Sequence, residues 1–276
     1  MIRVFPKRTK WTPTDNLTFV GYPPPLFLPE DQPVMISVVF TWDIPEAERL
    51  LQAWKCFYKN VYIGGPAFDD PGGEFEPGRF IKSGVTITSR GCIRTCPHCF
   101  VPAREGNIRE LPIRDGWIVQ DNNLLACTRA HIEAVFDMLR RQKKAAVLSG
   151  GLDIRLLQPW HRELLDSIRI NELWVACDSA SMIPMLERAA TALDGIPQRK
   201  KRCYAMIGYN GEKISEAEKR LETIYKFGFD PFCQLYRGEK QQDYSQDWKN
   251  LNYKWSRPAA YHSAAKAVQN ITLIEQ

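Results

Sequence analysis

Three of the chain's eight cysteines fall within eight positions of the run GCIRTCPHCFVPAREG, residues 91–106. Cys92, Cys96 and Cys99, spaced Cx3Cx2C, bring three thiols onto one short loop, where they can converge on one metal centre without help from distant sequence. A structural zinc site closes its tetrahedron with four protein ligands. The candidates for a fourth are His98, whose place between two ligands makes convergence awkward, and the remote Cys56 or Cys127. A cubane [4Fe–4S] cluster takes one cysteine per iron. Three cysteines then leave one iron free to take an exogenous ligand, and that iron is a reaction site. Three unrelated thiols are the remaining alternative, but closely spaced cysteines in a reduced compartment more often bind metal or do redox work.

The other cysteines, Cys56, Cys127, Cys177, Cys203 and Cys233, stand singly in apolar stretches, as reduced core thiols do, and form no disulfide framework. With 276 residues, 44% of them hydrophobic, the chain can bury a full core, so one domain or one domain with a small appendage is expected. The N-terminal MIRVFPKRTKWTPTD has no apolar leader-like core, and no stretch approaches the roughly 18 apolar residues of a membrane span. A cytoplasmic protein with no membrane partner is the expectation. A formal charge of +5 is ordinary at this length and does not select a polyanionic partner.

The Cx3Cx2C spacing resembles the signature of the radical S-adenosylmethionine (radical SAM) superfamily. The preceding SGVTITSRGC contains an alternating run, Val85 to Thr88, ending at Gly91, which puts the cysteines on the loop leaving a first strand, as in that superfamily. The resemblance implies that Cys92, Cys96 and Cys99 are at once the metal ligands and the catalytic residues. S-adenosylmethionine would chelate the fourth iron, and an electron from an external flavodoxin- or ferredoxin-type donor would split it into methionine and a 5′-deoxyadenosyl radical that takes hydrogen from substrate. The residue before the third cysteine is usually aromatic in the family; here it is His98, expected to pack in the same way.

The superfamily core is an α/β fold, a partial (β/α)6 TIM-like barrel, and six strand-plus-helix units can be counted. After VTITS come WIVQD (117–121), AAVLSGG (145–151), ELWVACD (172–178), RCYAMIG (202–208) and DPFCQLYR (230–237). Between them lie a helix capped by Thr128 with Ile132, Val135, Phe136 and Leu139 on one side, and a second over Trp160 to Ile168. A third carries Leu186, Ala189, Ala190 and Leu193 with Pro184 in its first turn. A fourth has a capping box from Ser215 to Glu218 and stops at Gly228. Apolar strands alternating with amphipathic helices predict a parallel sheet covered by helices. The expected division is 1–80 as an N-terminal βαβ extension and linker, 81–240 as the barrel, and 241–276 as a C-terminal covering segment.

Chemistry in such barrels gathers at C-terminal strand ends. Those ends carry Asp121, Asn122 and Asn123; Ser149, Gly150, Gly151 and Asp153; Asp178, Ser179 and Ser181; Gly208, Tyr209 and Asn210; and Gln234, Tyr236 and Arg237. The resemblance implies that the DNN at 121–123 takes the place of the family's GGEP motif, holding the amino group of S-adenosylmethionine. The literal GGLD at 150–153 is the other candidate, at the cost of one strand. Asp178 or Ser179 would meet the ribose hydroxyls and the backbone at Ile207 and Gly208 the adenine. With His98, Ser149, Gly150 and Gln234 these complete the expected cofactor-binding set. Singly, Asp, Asn, Ser and Gly at such places also serve as caps and turns.

Residues 34–65 predict strand, helix, strand, and their ending VYIGGP is similar to the last part of the cobalamin-binding domain of cobalamin-dependent radical SAM enzymes. That domain needs a complete multi-stranded sheet and commonly a His ligand, and no His precedes His98; a small cap extending the barrel sheet is expected instead. The acidic residues Asp69, Asp70, Glu74 and Glu76 mark a solvated linker. Pro102, Arg104, Gly106 and Arg109 are arranged as in the tRNA methylthiotransferases of the superfamily, but the N-terminal part offers only Cys56 towards their second cluster. The tail interleaves Trp248, Tyr253, Trp255 and Tyr261 with Lys249, Lys254 and Arg257, a pattern suited to stacking bases or to covering the barrel's free edge, which is the preferred expectation. QRKKR at 198–202 is expected to be a solvated turn. The expected function is a radical SAM enzyme with an unidentified substrate. The alternatives are a methylthiotransferase-like enzyme, with RNA as partner, and a non-catalytic iron–sulfur or zinc module that binds nucleic acid.

Overall fold

Short apolar segments near the N-terminus pair before any helix intervenes. In the computed structural model, which describes residues 1–68, 74–238 and 243–263, β1 (Ile2–Phe5), β2 (Thr18–Val20), β3 (Val34–Ser37) and β4 (Val61–Gly64) form a parallel sheet in the order β2-β1-β3-β4. α1 (Ile44–Lys55) crosses from β3 to β4 and buries Ala47, Leu50 and Trp54 against Ile2, Val4, Val34 and Ile36. The βαβ unit expected over 34–65 is present. Two strands that the sequence does not predict, β1 and β2, stand beside it, with no helix between them and β3 to mark a strand–helix alternation. They also correct the expected cap: β3 is paired on both sides, by β1 and β4, so these strands close a sheet of their own and do not extend the larger one. In the linker, Glu74 pairs with Arg114 (2.9 Å) and Glu76 with Arg79 (3.4 Å); Asp69 and Asp70 lie outside the described residues.

The chain divides into two compact units, residues 1–87 with 114–116, and residues 88–113 with 117–276. The larger sheet has six strands, and all six were predicted. β5 (Val85–Thr86) is followed by β6 (Ser89–Arg90), α2 (Val101–Glu105) and β7 (Arg109–Glu110), which belong to the cysteine loop, and then by β8 (Ile118–Val119). From there strands and helices alternate: α3 (Arg129–Arg141), β9 (Ala146–Leu152), α4 (Pro159–Asp166), β10 (Ile170–Ala176), α5 (Ile183–Ala192), β11 (Lys201–Ile207), α6 (Ile214–Lys226) and β12 (Asp230–Leu235). The sheet order β5-β8-β9-β10-β11-β12 follows the chain, and β8 to β12 pair in parallel, so every C-terminal strand end among them lies on one edge.

One sheet face carries Val119, Leu148, Leu173, Val175, Cys177, Cys203, Ala205, Ile207 and Cys233, and these join the same core as Ile132, Phe136, Leu165, Leu186, Leu221 and Ile224 of the helices. The opposite face carries Trp174, Tyr204 and Phe232, which pack on one another and not into that core. Burial raises the thiols of Cys177 and Cys233 to about 12, and all three core cysteines are inert hydrophobes.

Helix ends follow local chemistry with two departures. Thr128 Oγ1 accepts the His131 N–H and caps α3 as expected. α6 begins at Ile214 with its cap at Lys213, two residues before the expected cap Ser215, because the Glu216 carboxylate reaches back to the Lys213 N–H (3.0 Å) and takes the role assigned to Glu218. The QRKKR run is not simply solvated: Lys201 is buried and sits over the Phe229 ring, since β11 begins there. α7 (Gln246–Trp255) packs on β12 and α6 with Leu251, Trp255 and Tyr261 buried, so the tail's aromatics serve mainly as core, while Tyr253 stays exposed under Arg257. No helix among the described residues is long and apolar enough to cross a membrane.

Two outcomes follow from this packing. Phe136, fully buried in the helix-covered core, costs about 3–5 kcal/mol on truncation to Ala, measured by chemical denaturation. His161 accepts the Gln158 N–H at Nδ1 (2.9 Å), and burial, then Arg129, lowers its pKa from 6.5 to about 4. Between those values the unfolded chain binds a proton that the folded chain does not, so stability falls as pH drops from 6.5 to about 4 and this contribution levels off below. His161→Gln keeps an acceptor for the cap and flattens that slope in denaturation curves run across the window.

Candidate functional site

The cysteine loop is a closed excursion from the strand edge. β6 and β7 pair antiparallel, Ser89 opposite Glu110 and Arg90 opposite Arg109, and form its stem. Gly91 stands at the first turn with φ +86°, and a Cβ there would collide with the Asn107 carbonyl oxygen, so the close approach needs glycine. The Cys92 N–H donates to the Gly106 oxygen (3.1 Å) and the Cys99 N–H to the Cys96 oxygen (3.0 Å), folding the three cysteines into successive turns. Pro102 enters the first turn of α2, where its missing N–H costs no helical bond.

The segment after β8 braces this loop. Asp121, 1% exposed, accepts from the Thr88 N–H (2.6 Å), the Thr88 hydroxyl (2.6 Å) and the Ser89 hydroxyl (2.7 Å). Burial raises its pKa, and the hydrogen bonds from Thr88 and Ser89 oppose that rise. Asn122 Oδ1 accepts the Gly91 N–H (3.0 Å), and Asn123 Nδ2 donates to Cys92 Sγ (3.3 Å) while its Oδ1 is buried without a partner. Gly150 lies so close to the Asp121 backbone that a Cβ would overlap its carbonyl oxygen. The two candidates for the GGEP place, 121–123 and 150–153, are therefore neighbours in space.

The thiols differ in setting. Cys92 and Cys96 are half-buried and Cys99 is exposed. Burial, then the charges of Cys96, Cys92 and Asp178, push the Cys99 thiol above its ordinary value. A bound cation would relieve the penalty on the Cys99 thiolate, and Asn123 already points an N–H at one sulfur of the set. Among the described residues, no three His, Cys, Asp or Glu side chains are drawn into a preformed metal-coordinating group. Cys127 is half-buried and burial holds its thiol up at about 11, in the protonated form.

The remaining expected residues spread along the same edge. His98 Nε2 lies 3.5 Å from Asp178 Oδ2, and its ring meets Tyr209 edge-on, which in turn meets Tyr236. Asp178 Oδ1 accepts the Met206 N–H (2.9 Å). Ser149 accepts from Gln120 Nε2 (2.5 Å) and its carbonyl from the Tyr204 hydroxyl (3.0 Å); Ser179 pairs with Ser181 (2.8 Å). Ile207 is buried and its carbonyl accepts the Tyr236 N–H, whereas the Gly208 N–H is taken by Glu212 (3.0 Å). Gln234 is exposed at the far strand, and no hydrogen bond of its side chain joins it to the other site residues.

Sequence reasoning missed the arginines. Arg94 and Arg155 both bond Asp153, and the Arg94 backbone N–H also donates to Cys92 Sγ (3.4 Å). Arg220, 3% exposed, donates to the Cys177 and Met206 carbonyls (both 2.8 Å) and to Glu212 (2.6 Å), tying α6 to two strand ends. A signal for it existed: Arg220 adjoins Ala217, Leu221 and Ile224 on the buried side of α6, where an arginine needs partners.

No protein-family model matches the chain, and no curated protein matches it.

Gly91 and Gly106 both have positive φ, but only Gly91 has backbone where a Cβ would sit. Gly106→Ala, at φ +70° and ψ −147°, accordingly costs about 1–3 kcal/mol from conformation alone, and Gly91→Ala costs more because the stem must open. Denaturation midpoints of the two variants check the order.

Proposed function

We propose that the chain is a radical SAM enzyme that binds a [4Fe–4S] cluster on Cys92, Cys96 and Cys99. The observation that carries this is the placement of three cysteines on one stem-closed loop at the C-terminal edge of a parallel sheet, with Asn123 donating to Cys92 Sγ. Such a cluster, with S-adenosylmethionine on its non-cysteine iron, supplies a 5′-deoxyadenosyl radical for hydrogen abstraction from substrate. The finer architecture we infer is a partial (β/α)6 barrel. In its support, the helices share a core with only one sheet face, as a barrel wall requires, and the other face keeps its own aromatic set.

In this reading the chain's residues divide the work. The three thiolates hold the metal, and Asp121 and Asn122 fix the loop that presents them, through Thr88, Ser89 and Gly91. Asn123 Oδ1, buried and unpartnered on the side chain that donates to Cys92 Sγ, is an acceptor that suits an ammonium group. His98, Tyr209 and Tyr236 wall the edge above β11 and β12 with ring surface that limits water. Asp178 keeps one oxygen on the Met206 N–H and has the other beside His98, where a hydroxyl donor can reach it. An external one-electron donor, of the flavodoxin or ferredoxin type, completes the requirements.

The test is anaerobic. After reconstitution with iron and sulfide and addition of S-adenosylmethionine and dithionite, the wild type yields 5′-deoxyadenosine and Cys96→Ala falls to background. A folded wild type that holds about four irons per chain and yields none, with candidate small molecules, peptides and RNA supplied, overturns the enzyme reading and leaves a structural cluster.

A further inference from the structure

A carboxylate held between two guanidinium groups at the end of β9 has no role in the function proposed above. The Asp153 side chain is 6% exposed and accepts four hydrogen bonds: from Arg94 Nε (2.9 Å), Arg155 Nε (2.6 Å), Arg155 Nη2 (3.0 Å) and the Arg155 backbone N–H (3.1 Å). Burial opposes its charge, but the bonds from Arg155 and Arg94 prevail and hold the carboxyl below the ordinary 3.8. Neither arginine is placed at random. Arg94 stands midway between Cys92 and Cys96 and its backbone N–H donates to Cys92 Sγ (3.4 Å), while the charge of Arg155 interacts with Cys96. Two cations around one anion leave one positive charge in excess beside the cysteines.

We propose that Asp153 is a positioning residue that latches the cysteine loop to the end of β9 through Arg94 and fixes the charge of Arg155 on the cysteine side of that strand end. A fixed positive charge beside a ligand sulfur stabilises the reduced, more negative form of an iron–sulfur cluster, so this pair raises the cluster's reduction potential. An ordinary cap aspartate would account for the Arg155 N–H alone; it would not account for Arg94, 59 positions earlier in the chain, sharing the same carboxylate. The electrostatic half of the proposal rests on the cluster assigned above, whereas the latch does not.

Two measurements separate these halves. On the full-length, metal-free chain, hydrogen exchange of amides 92–99 is several-fold faster in Asp153→Asn than in the wild type, while amides of α3 and α6 are unchanged; equal exchange at 92–99 overturns the latch. If Asp153→Asn fails to fold, Arg94→Gln, at the other end of the same bond, takes its place. On the reconstituted chain, the midpoint potential followed by EPR moves to more negative values in Arg155→Gln and returns towards the wild type in Arg155→Lys, which restores charge. A midpoint indifferent to both overturns the electrostatic role. A wild type that takes up no iron overturns the cluster assignment and this electrostatic role together, and the exchange measurement still decides the latch.

Discussion

The Asp121 carboxylate sets the geometry of the cysteine loop. Burial to 1% exposure raises the Asp121 pKa, and three donors from Thr88 and Ser89, in the segment that runs directly into the loop, oppose that rise. The stem at β6 and β7, the turn at Gly91 and the approach of Asn123 to Cys92 all start from residues fixed by that bond set. Both Asp121 oxygens are engaged by Thr88 and Ser89, and the neighbouring Asn123 keeps a buried Oδ1 without a partner.

A second buried polar set ties the site to the core. Arg220 collects the carbonyls at the ends of β10 and β11 and pairs with Glu212, whose other oxygen accepts the Gly208 N–H. Strand ends that would otherwise fray are thereby referred to α6, which is packed by Ala217, Leu221 and Ile224. Breaking such a pair from one side leaves a charge stranded in a dry place, so its cost would fall on the whole edge and not on one contact.

Legibility in the sequence tracked the range of the interaction. The six strands of the larger sheet and the helices α3 to α6 were readable because each records its surroundings in a local period, two for strands and 3.6 for helices. β1 and β2 were not, since no helix separates them to mark an alternation of elements, and β1 pairs with β2 and with β3, where Arg3 meets Met35, 32 positions later, only in the folded chain. The start of α6 slipped by two residues because two glutamates, Glu216 and Glu218, both stood where a capping acid is expected, and only the backbone position of Lys213 selected the first. Tail aromatics read equally as a stacking surface or as core; the depth of Trp255 and Tyr261 against β12 made that choice.

By itself the sequence determined the class of fold, the order of its elements and the loop that carries the three cysteines, because apolar period, capping chemistry and cysteine spacing are all local properties of the chain. Which polar residue does what at the strand edge was decided only by the tertiary structure. Asp121, Asn122 and Asn123 are adjacent in sequence and alike in chemistry, yet one bonds Thr88 and Ser89, one holds Gly91 and one meets Cys92. Asp153 finds Arg94 across 59 positions. Hydrogen bonds depend on direction and on distances of about 3 Å, and such distances between remote residues exist only once the sheet has brought its strand ends to one edge.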